Sequence, residues 1–424
     1  MTGAQWMKKS AGGIVLAGAM VYAVVNVAYN HFTYETPDAT TIRICHWQLE
    51  SGFREALQQL IDEYEALVRE RTGQSVRIVQ MPIPERGYAQ FLNTGLIGGM
   101  APDIIEKGKA LTTRDPSYVA RFFLPLSRYV REPNPYNKGT ALEGVEWRDT
   151  FVDGMSSCYD RALRDYYYIP FSMFTIRVFY NADLYRQTTG REQPPRTYTE
   201  LLDACREIRA YAAAHGVRIA PIACSRQEVA RFRWGLERCF LLSMIPDVDE
   251  DFNGVADPFE AYRGYLEGDW SFMSPALQAS WECVTEIAEQ FQHGWVAAGR
   301  SDSLFMFAQQ RAVMLMTGSW DASSIIEQTR DKFQVRIFQL PVPTDVPEYA
   351  PFVPGHLTEA TSRGGIPWAI NTRTRHADLC IDFLRFCTTR AHNARFNKAI
   401  TWIPVVHGVK LPERLIPFKP LIHG

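Results

Sequence analysis

Between Thr41 and Ile105 the chain alternates two kinds of apolar pattern, and this alternation restricts the fold more than any other feature. Thr41–Cys45 is a short strand-like run. From Ser51 onward, apolar residues fall at Phe53, Leu57, Leu60, Ile61, Tyr64, Leu67 and Val68, the spacing of one buried helical stripe, which Gly73 ends. Val76–Met81 reads as a second strand, stopped by Pro82 and Pro84. A helix over Tyr88–Gly98 then leads to a third strand at Ala101–Ile105. A β-α-β-α-β order needs crossover helices, so it implies a parallel sheet covered by helices.

The chain has 424 residues, 46% hydrophobic and 22% charged, which is enough for two cores of ordinary globular composition. A formal net charge of −2 gives no sign of the basic surface that nucleic acid requires. No repeat or low-complexity tract is present, which excludes a solenoid. At the N-terminus, Lys8 and Lys9 precede an apolar run from Ala11 to Tyr29, broken only by Asn26. A helix of that length spans roughly 28 Å, close to a bilayer core, and the lysines would keep its start in the cytoplasm. An uncleaved signal anchor is favoured over a cleaved signal peptide, because the best small-x-small site, Asn26-Val27-Ala28, is poor. Either way the body of the chain is expected outside the cytoplasm, periplasmic and tethered to the inner membrane if the anchor is kept.

Eight cysteines occur, with no C-x-x-C and no zinc-finger histidine spacing. They read as buried thiols. Export also permits disulfides, Cys224 with Cys239 being one candidate pair. The triplet Tyr166-Tyr167-Tyr168 does not suit an iron site, because consecutive strand residues alternate faces. No metal or cofactor is expected.

The middle of the chain, Tyr168 to Ile208, reads as a strand, a break, a second strand, a short helix, a Pro-rich turn and a helix. Thr197 and Glu200 form a Thr-x-x-Glu capping box for that last helix, which runs to His215 and is closed by Gly216. Arg218–Ala223 is a strand. Pro275 starts another helix, with a stripe of Leu277, Trp281, Val284, Ile287, Ala288 and Phe291 and with Gly294 as its cap. Asp247–Trp270 looks loop-rich, and Pro341–Gly365, with five prolines, reads as a lid or a long connection. A strand at Trp368–Asn371 and a helix at Ala377–Cys387 follow.

Several of these segments carry motifs. Tyr167-Tyr168-Ile169-Pro170, Tyr180-Asn181-Ala182-Asp183-Leu184 and Pro194-Pro195-Arg196-Thr197-Tyr198-Thr199-Glu200-Leu201 follow one another, with Ala101-Pro102-Asp103-Ile104-Ile105 and Phe123-Leu124-Pro125-Leu126-Ser127 upstream. Downstream stand Ser274-Pro275 and the run Phe307-Ala308-Gln309-Gln310-Arg311-Ala312-Val313-Met314-Leu315-Met316-Thr317-Gly318-Ser319-Trp320. In this order the motifs closely resemble those of family 1 extracellular solute-binding proteins, the substrate receptors of ABC importers, over residues 41–405. Tyr198 stands where that family most often has Trp, and Gln310 where it has Gly. The resemblance implies an α/β, two-lobed, periplasmic-binding-protein-like (type II) fold similar to maltose-binding protein, with a hinge and an interlobe cleft. Lobe one would be 41–171 with 364–395, and lobe two 172–363 with 396–424, after a signal segment and linker over 1–40. Pro170, Phe171, Gly364 and Gly365 would be the hinge.

Ligands of open α/β sheets bind beyond the carboxyl ends of the strands, and sugars are held by flat aromatic rings together with polar groups. The residues in those places are Trp47, Gln48 and Glu50 after the first strand, and Glu106 and Lys107 after the third. Ser172 and Phe174 lie at the crossover, Trp234 in Arg231–Gly235, and Trp320 with Asp321 after the Met-rich strand. Trp402 joins them near the end of the chain. Expected ligand contacts are therefore Trp47, Glu50, Glu106, Lys107, Ser172, Phe174, Trp234, Trp320, Asp321 and Trp402. With no G-x-S-x-G elbow, H-E-x-x-H or Walker loop, a non-catalytic role is expected. That role is capture of a carbohydrate by a monomer and its delivery to ABC permease subunits. A membrane-tethered sensor, or an extracytoplasmic carbohydrate-active enzyme, are the alternatives.

Overall fold

The protein is described from a computed structural model. It covers residues 17, 18, 20–22, 25, 40–48, 50, 52–107, 116–252, 254, 256–355, 359, 364–411 and 413–421. The proposed anchor lies almost wholly outside the described residues. Among the described residues, no helix is long and apolar enough to cross a membrane.

Twelve strands are described. They are β1 (Thr40–His46), β2 (Val76–Pro82), β3 (Ile104–Glu106), β4 (Tyr159–Asp160), β5 (Asp165–Tyr166), β6 (Ile169–Met173), β7 (Ile176–Asn181), β8 (Ala220–Ala223), β9 (Ala312–Gly318), β10 (Val335–Phe338), β11 (Gly364–Ile370) and β12 (Ile403–Pro404). The chain divides into two compact units. One holds the chain up to Phe171, Ile366–Ile400 and Val405–Val409; the other holds Ser172–Gly365, Thr401–Pro404 and Lys410 onward.

In unit one the strand order is β6-β11-β3-β1-β2. β1 pairs in parallel with both β2 and β3, as the opening β-α-β-α-β pattern requires, and β11 runs antiparallel to β3. The helix Phe53–Thr72 buries Phe53, Leu57, Leu60, Ile61, Tyr64 and Val68, and Gly73 ends it with its N–H on Arg69 O. Tyr64 packs edge-on against Phe383, 5.2 Å between centroids, and its hydroxyl donates to Asp382. That contact ties the opening crossover to the late helix Ala377–Cys387. The helix after β2 starts earlier than expected, at Glu85: Pro84 is its N-cap residue and so admits the helix instead of blocking it.

Unit two has a sheet in the order β10-β7-β9-β8, with β7 antiparallel to its neighbours and β8 parallel to β9. Every residue of β9 is buried, and the helices Val229–Val248 and Arg300–Ala308 pack against it. The core gathers Val178, Tyr180, Tyr198, Leu201, Cys205, Phe232, Leu236, Cys283, Ile287 and Met314.

Several local expectations are corrected here. Thr197 does cap the helix Tyr198–His215, but the Glu200 carboxylate reaches back to the N–H of Arg196, leaving the expected box open. Asp345 instead accepts from the N–H groups of Tyr198 and Thr199. Asp345 belongs to the Pro-rich segment, whose Val342, Tyr349 and Val353 lie in the unit-two core. The segment is thus packed scaffold over these residues, not a lid. The helix Pro275–Ala288 ends before Gly294, because Phe291 forms a parallel bridge with Ile222 beside β8. Its buried side carries Ser280 and Cys283, while Trp281 is exposed. Asp247–Trp270 is less loop-rich than expected, since Pro258–Glu267 is a helix with a complete capping box. All eight cysteines are buried and free, so Cys224 and Cys239 are not bonded; their thiols donate to the carbonyls of Ser225 and Gly235 instead.

Candidate functional site

Each unit gathers polar and aromatic side chains where its strands end. In unit one, β1 leads into Trp47 and Gln48, and β3 ends at Glu106. The Trp47 N–H donates to one oxygen of Glu106 at 3.3 Å, and the Gln48 amide donates to the other. Glu106 is 1% exposed. Burial, opposed by those two hydrogen bonds and reinforced by the Glu50 charge, lifts its carboxyl to about 8. The Tyr88 hydroxyl lies 2.7 Å from the Glu106 carbonyl and 3.2 Å from that of Cys45, fixing the two strand ends together. Glu106 is thus the internal support of the β1 turn. The next residue, Lys107, sets its ammonium 3.9 Å from the centre of the Tyr168 ring. Three buried polar atoms of this group have no hydrogen-bond partner among the described residues: Trp47 Nε1, Gln48 Oε1 and the Tyr168 hydroxyl. Orphaned groups of this kind are uncommon in folded proteins, where water, an ion or another partner satisfies them.

In unit two the corresponding place is the end of β9. Trp320 sits in the short turn Ser319–Asp321, and its ring lies directly over Gly318: a Cβ at that position would fall 2.2 Å from the ring. The absence of a side chain there is what admits the indole. Phe174 meets the same ring edge-on at 5.2 Å, and the Arg231 guanidinium stands 5.0 Å from its centre. Asp321 is not a free contact. It accepts from Thr317 at 2.5 Å and from Arg300. Behind Arg231 lies Glu228, 1% exposed, which accepts from Ser303 at 3.1 Å and from Ser225. Arg231 approaches Glu228 only to 3.9 Å, and Glu228 Oε1 and Arg231 Nε have no hydrogen-bond partner among the described residues. Burial raises the Glu228 pKa and lowers that of Arg231.

The remaining expected residues are more scattered. Ser172 is buried in β6, in register with Pro404 of β12. Trp402 is 6% exposed, and its indole nitrogen has no partner among the described residues. Trp234 lies within the helix Val229–Val248, one turn after Arg231, and not in a strand-end loop. At the expected hinge, the chain changes unit after Phe171 and after Gly365; the left-handed residue there is Ile366, with φ 51°. A separate groove of about 640 Å³ beside β10, bordered by Phe179, Phe333 and Phe418, shares no residue with either group.

A model of the bacterial extracellular solute-binding protein family matches residues 59–416. The chain belongs to that family. Solved structures share the fold of this solute-binding protein at low identity. RafE from Streptococcus pneumoniae, in its apo form, has a TM-score of 0.60 at 17% identity, covering 91% of this chain and 86% of that one. The GacH receptor of Streptomyces glaucescens, solved unliganded and with acarbose, scores 0.57 at 12% identity, with 89% and 83% covered. A sugar transporter from Bacillus licheniformis in complex with stachyose scores 0.54 at 14% identity, with 88% and 84% covered. No curated protein sequence matches the chain. The fold is accordingly the two-lobed α/β type II class, and the family's place of work is outside the cytoplasm.

Of the contacts expected from the sequence, Trp47 and Lys107 fall in the unit-one group and Phe174 and Trp320 in the unit-two group. Sequence reasoning did not single out as contacts their neighbours Tyr168, Glu228, Arg231, Arg300 and Ser303. Only Ser225 and Glu228, spaced like a helix start, gave any signal, and Arg231 lay unremarked in the run that drew attention to Trp234.

Proposed function

We propose that this solute-binding protein is a non-catalytic carbohydrate receptor that delivers its ligand to an ABC importer. The observation that carries the reading is Trp320, whose ring is held in place by Gly318 and Phe174 beside incompletely paired buried polar groups. Sugars pair with rings through their C–H faces and with such polar groups through their hydroxyls. In this reading Trp47, Lys107, Tyr168, Phe174, Trp320 and Trp402 contact the ligand, while Glu50, Glu106, Ser172 and Asp321 position their neighbours. Trp234 is left at the periphery. The relatives solved with acarbose and stachyose suggest an oligosaccharide. The chain acts as a monomer, tethered by the apolar run after Lys8 and Lys9.

The test is thermal unfolding against a panel of mono- and oligosaccharides that includes raffinose, stachyose and chitin fragments. A ligand at 100 times its Kd should stabilise the protein by about 2.7 kcal/mol. Trp320→Ala should lose at least about tenfold in affinity, about 1.4 kcal/mol, with the fold kept. A panel that leaves the melt unmoved, with silent calorimetry, would reject the carbohydrate reading. Mass measurement of the mature N-terminus checks the tether, which requires that the apolar run be retained.

A further inference from the structure

The stretch between two unit-two helices carries a pattern that sugar binding does not use. Asp249, Asp251, Asn253, Gly254, Asp257 and Glu260 stand at positions 1, 3, 5, 6, 9 and 12 of a twelve-residue run. This is the ligand spacing of a calcium-binding EF-hand loop. Oxygen donors come from positions 1, 3 and 5, a main-chain carbonyl from 7, a water-mediated contact from 9 and a two-oxygen glutamate from 12, with glycine at 6 for the sharp turn. Asn253 and Val255, at positions 5 and 7, enter by sequence only, since they lie outside the described residues.

The helix Val229–Val248 ends immediately before Asp249, and the helix Pro258–Glu267 begins at position 10, so the run joins two helices as an EF-hand loop does. Carboxylate oxygens of Asp249, Asp251 and Glu260 lie within 4.8 Å of one another. The spacing of residue types does not by itself bring positions 1 and 12 together; the chain path does. Gly254 takes the left-handed backbone required at position 6, with φ 79°, and its N–H donates to Asp249 at 2.7 Å. Glu260 is 7% exposed, and its oxygens accept from the N–H groups of Glu250 and Asp257 at 3.1 and 2.8 Å. Each carboxylate oxygen has a further lone pair, which a cation can use.

We propose that Asp249, Asp251 and Glu260 form a calcium site that clamps these two helices together. All the donors are hard oxygens, which excludes a zinc-type site, and a twelve-residue run of this spacing suits the larger ion better than magnesium. The ion offsets the mutual repulsion of three close carboxylates and meets the negative end of the first helix dipole. The same helix carries Arg231 beside Trp320 near its other end.

The experiment uses the full chain stripped with a chelator and titrated with calcium chloride by calorimetry, with magnesium chloride as the control, and followed by thermal unfolding. One calcium per chain and a raised Tm are expected, with a much weaker response to magnesium. Glu260→Gln and Asp251→Asn should each weaken calcium binding at least about tenfold. Asp251 is exposed and outside the helix cap, so its variant keeps the fold even if the Glu260 variant does not. No heat and no Tm change at millimolar calcium overturns the proposal, and so does binding unchanged in Asp251→Asn. A protein that binds calcium but none of the sugars leaves this site standing while removing the carbohydrate reading.

Discussion

At the scale of the residue, the close approach of Trp320 to Gly318 is the clearest case of one position existing for another. Gly318→Ala places a methyl group where the ring now lies and must displace it. The expected result is a loss of ligand affinity of about tenfold or more with a smaller effect on the melt; an unchanged affinity would detach Trp320 from the site. Glu106 gives a pH prediction. Its folded pKa of about 8 lies above its unfolded value, so the folded state holds a proton that the unfolded state releases. Stability therefore falls as pH rises from the ordinary carboxylate range to about 8, with a slope approaching about 1.4 kcal/mol per pH unit. Glu106→Gln should flatten that decline in melts taken between pH 5 and 9. Trp320 and Phe174 could be named as candidates from the sequence because such folds bind at strand ends, and the structure brings the two rings together. Arg231 and Ser303 were not, since they come from helices far from each other in the chain and meet only through Glu228.

At the scale of the element, the tail of the chain is fastened to unit two by one buried arginine. Arg177 of β7, 3% exposed, forms a two-pronged pair with Glu359 at 2.6 and 2.9 Å and donates to the carbonyls of Pro417 and Lys419. Arg177→Met takes the cation from Glu359, which keeps only the Leu421 N–H at 2.8 Å among the described residues, and the donor from those carbonyls, and a loss of about 3–5 kcal/mol is expected in denaturant unfolding. Nothing in the local sequence announces this pair, because its members are separated by 182 positions. Helices and strands with strong periodicity were legible almost to the residue, as with Ala377–Cys387 and Val76–Pro82. The Pro-rich segment was not. Its prolines announce irregular backbone but say nothing about Val342, Tyr349 and Val353 turning into the core.

At the scale of the whole molecule, two cores are built from interleaved stretches of one chain, so each unit depends on several separated segments. The proposed receptor role predicts that Trp47→Ala in unit one and Trp320→Ala in unit two both weaken binding of the same sugar, measured by calorimetry; an effect from one unit alone would confine the site to that unit. The thiols provide a second check on packing. Burial raises those of Cys45, Cys158, Cys205, Cys224, Cys239 and Cys283 to about 12, and those of Cys380 and Cys387 upward as well. None should react with a thiol reagent in the native protein, and all eight should react after denaturation. The sequence by itself determined the parallel opening sheet, most helices and the family, because periodicity and turn chemistry act over a few residues. Only the tertiary structure decided that Glu106 is a buried support, that Arg231 and Glu228 stand behind Trp320, and that Asp249 and Glu260 converge, because each of these depends on where distant backbone segments come to rest.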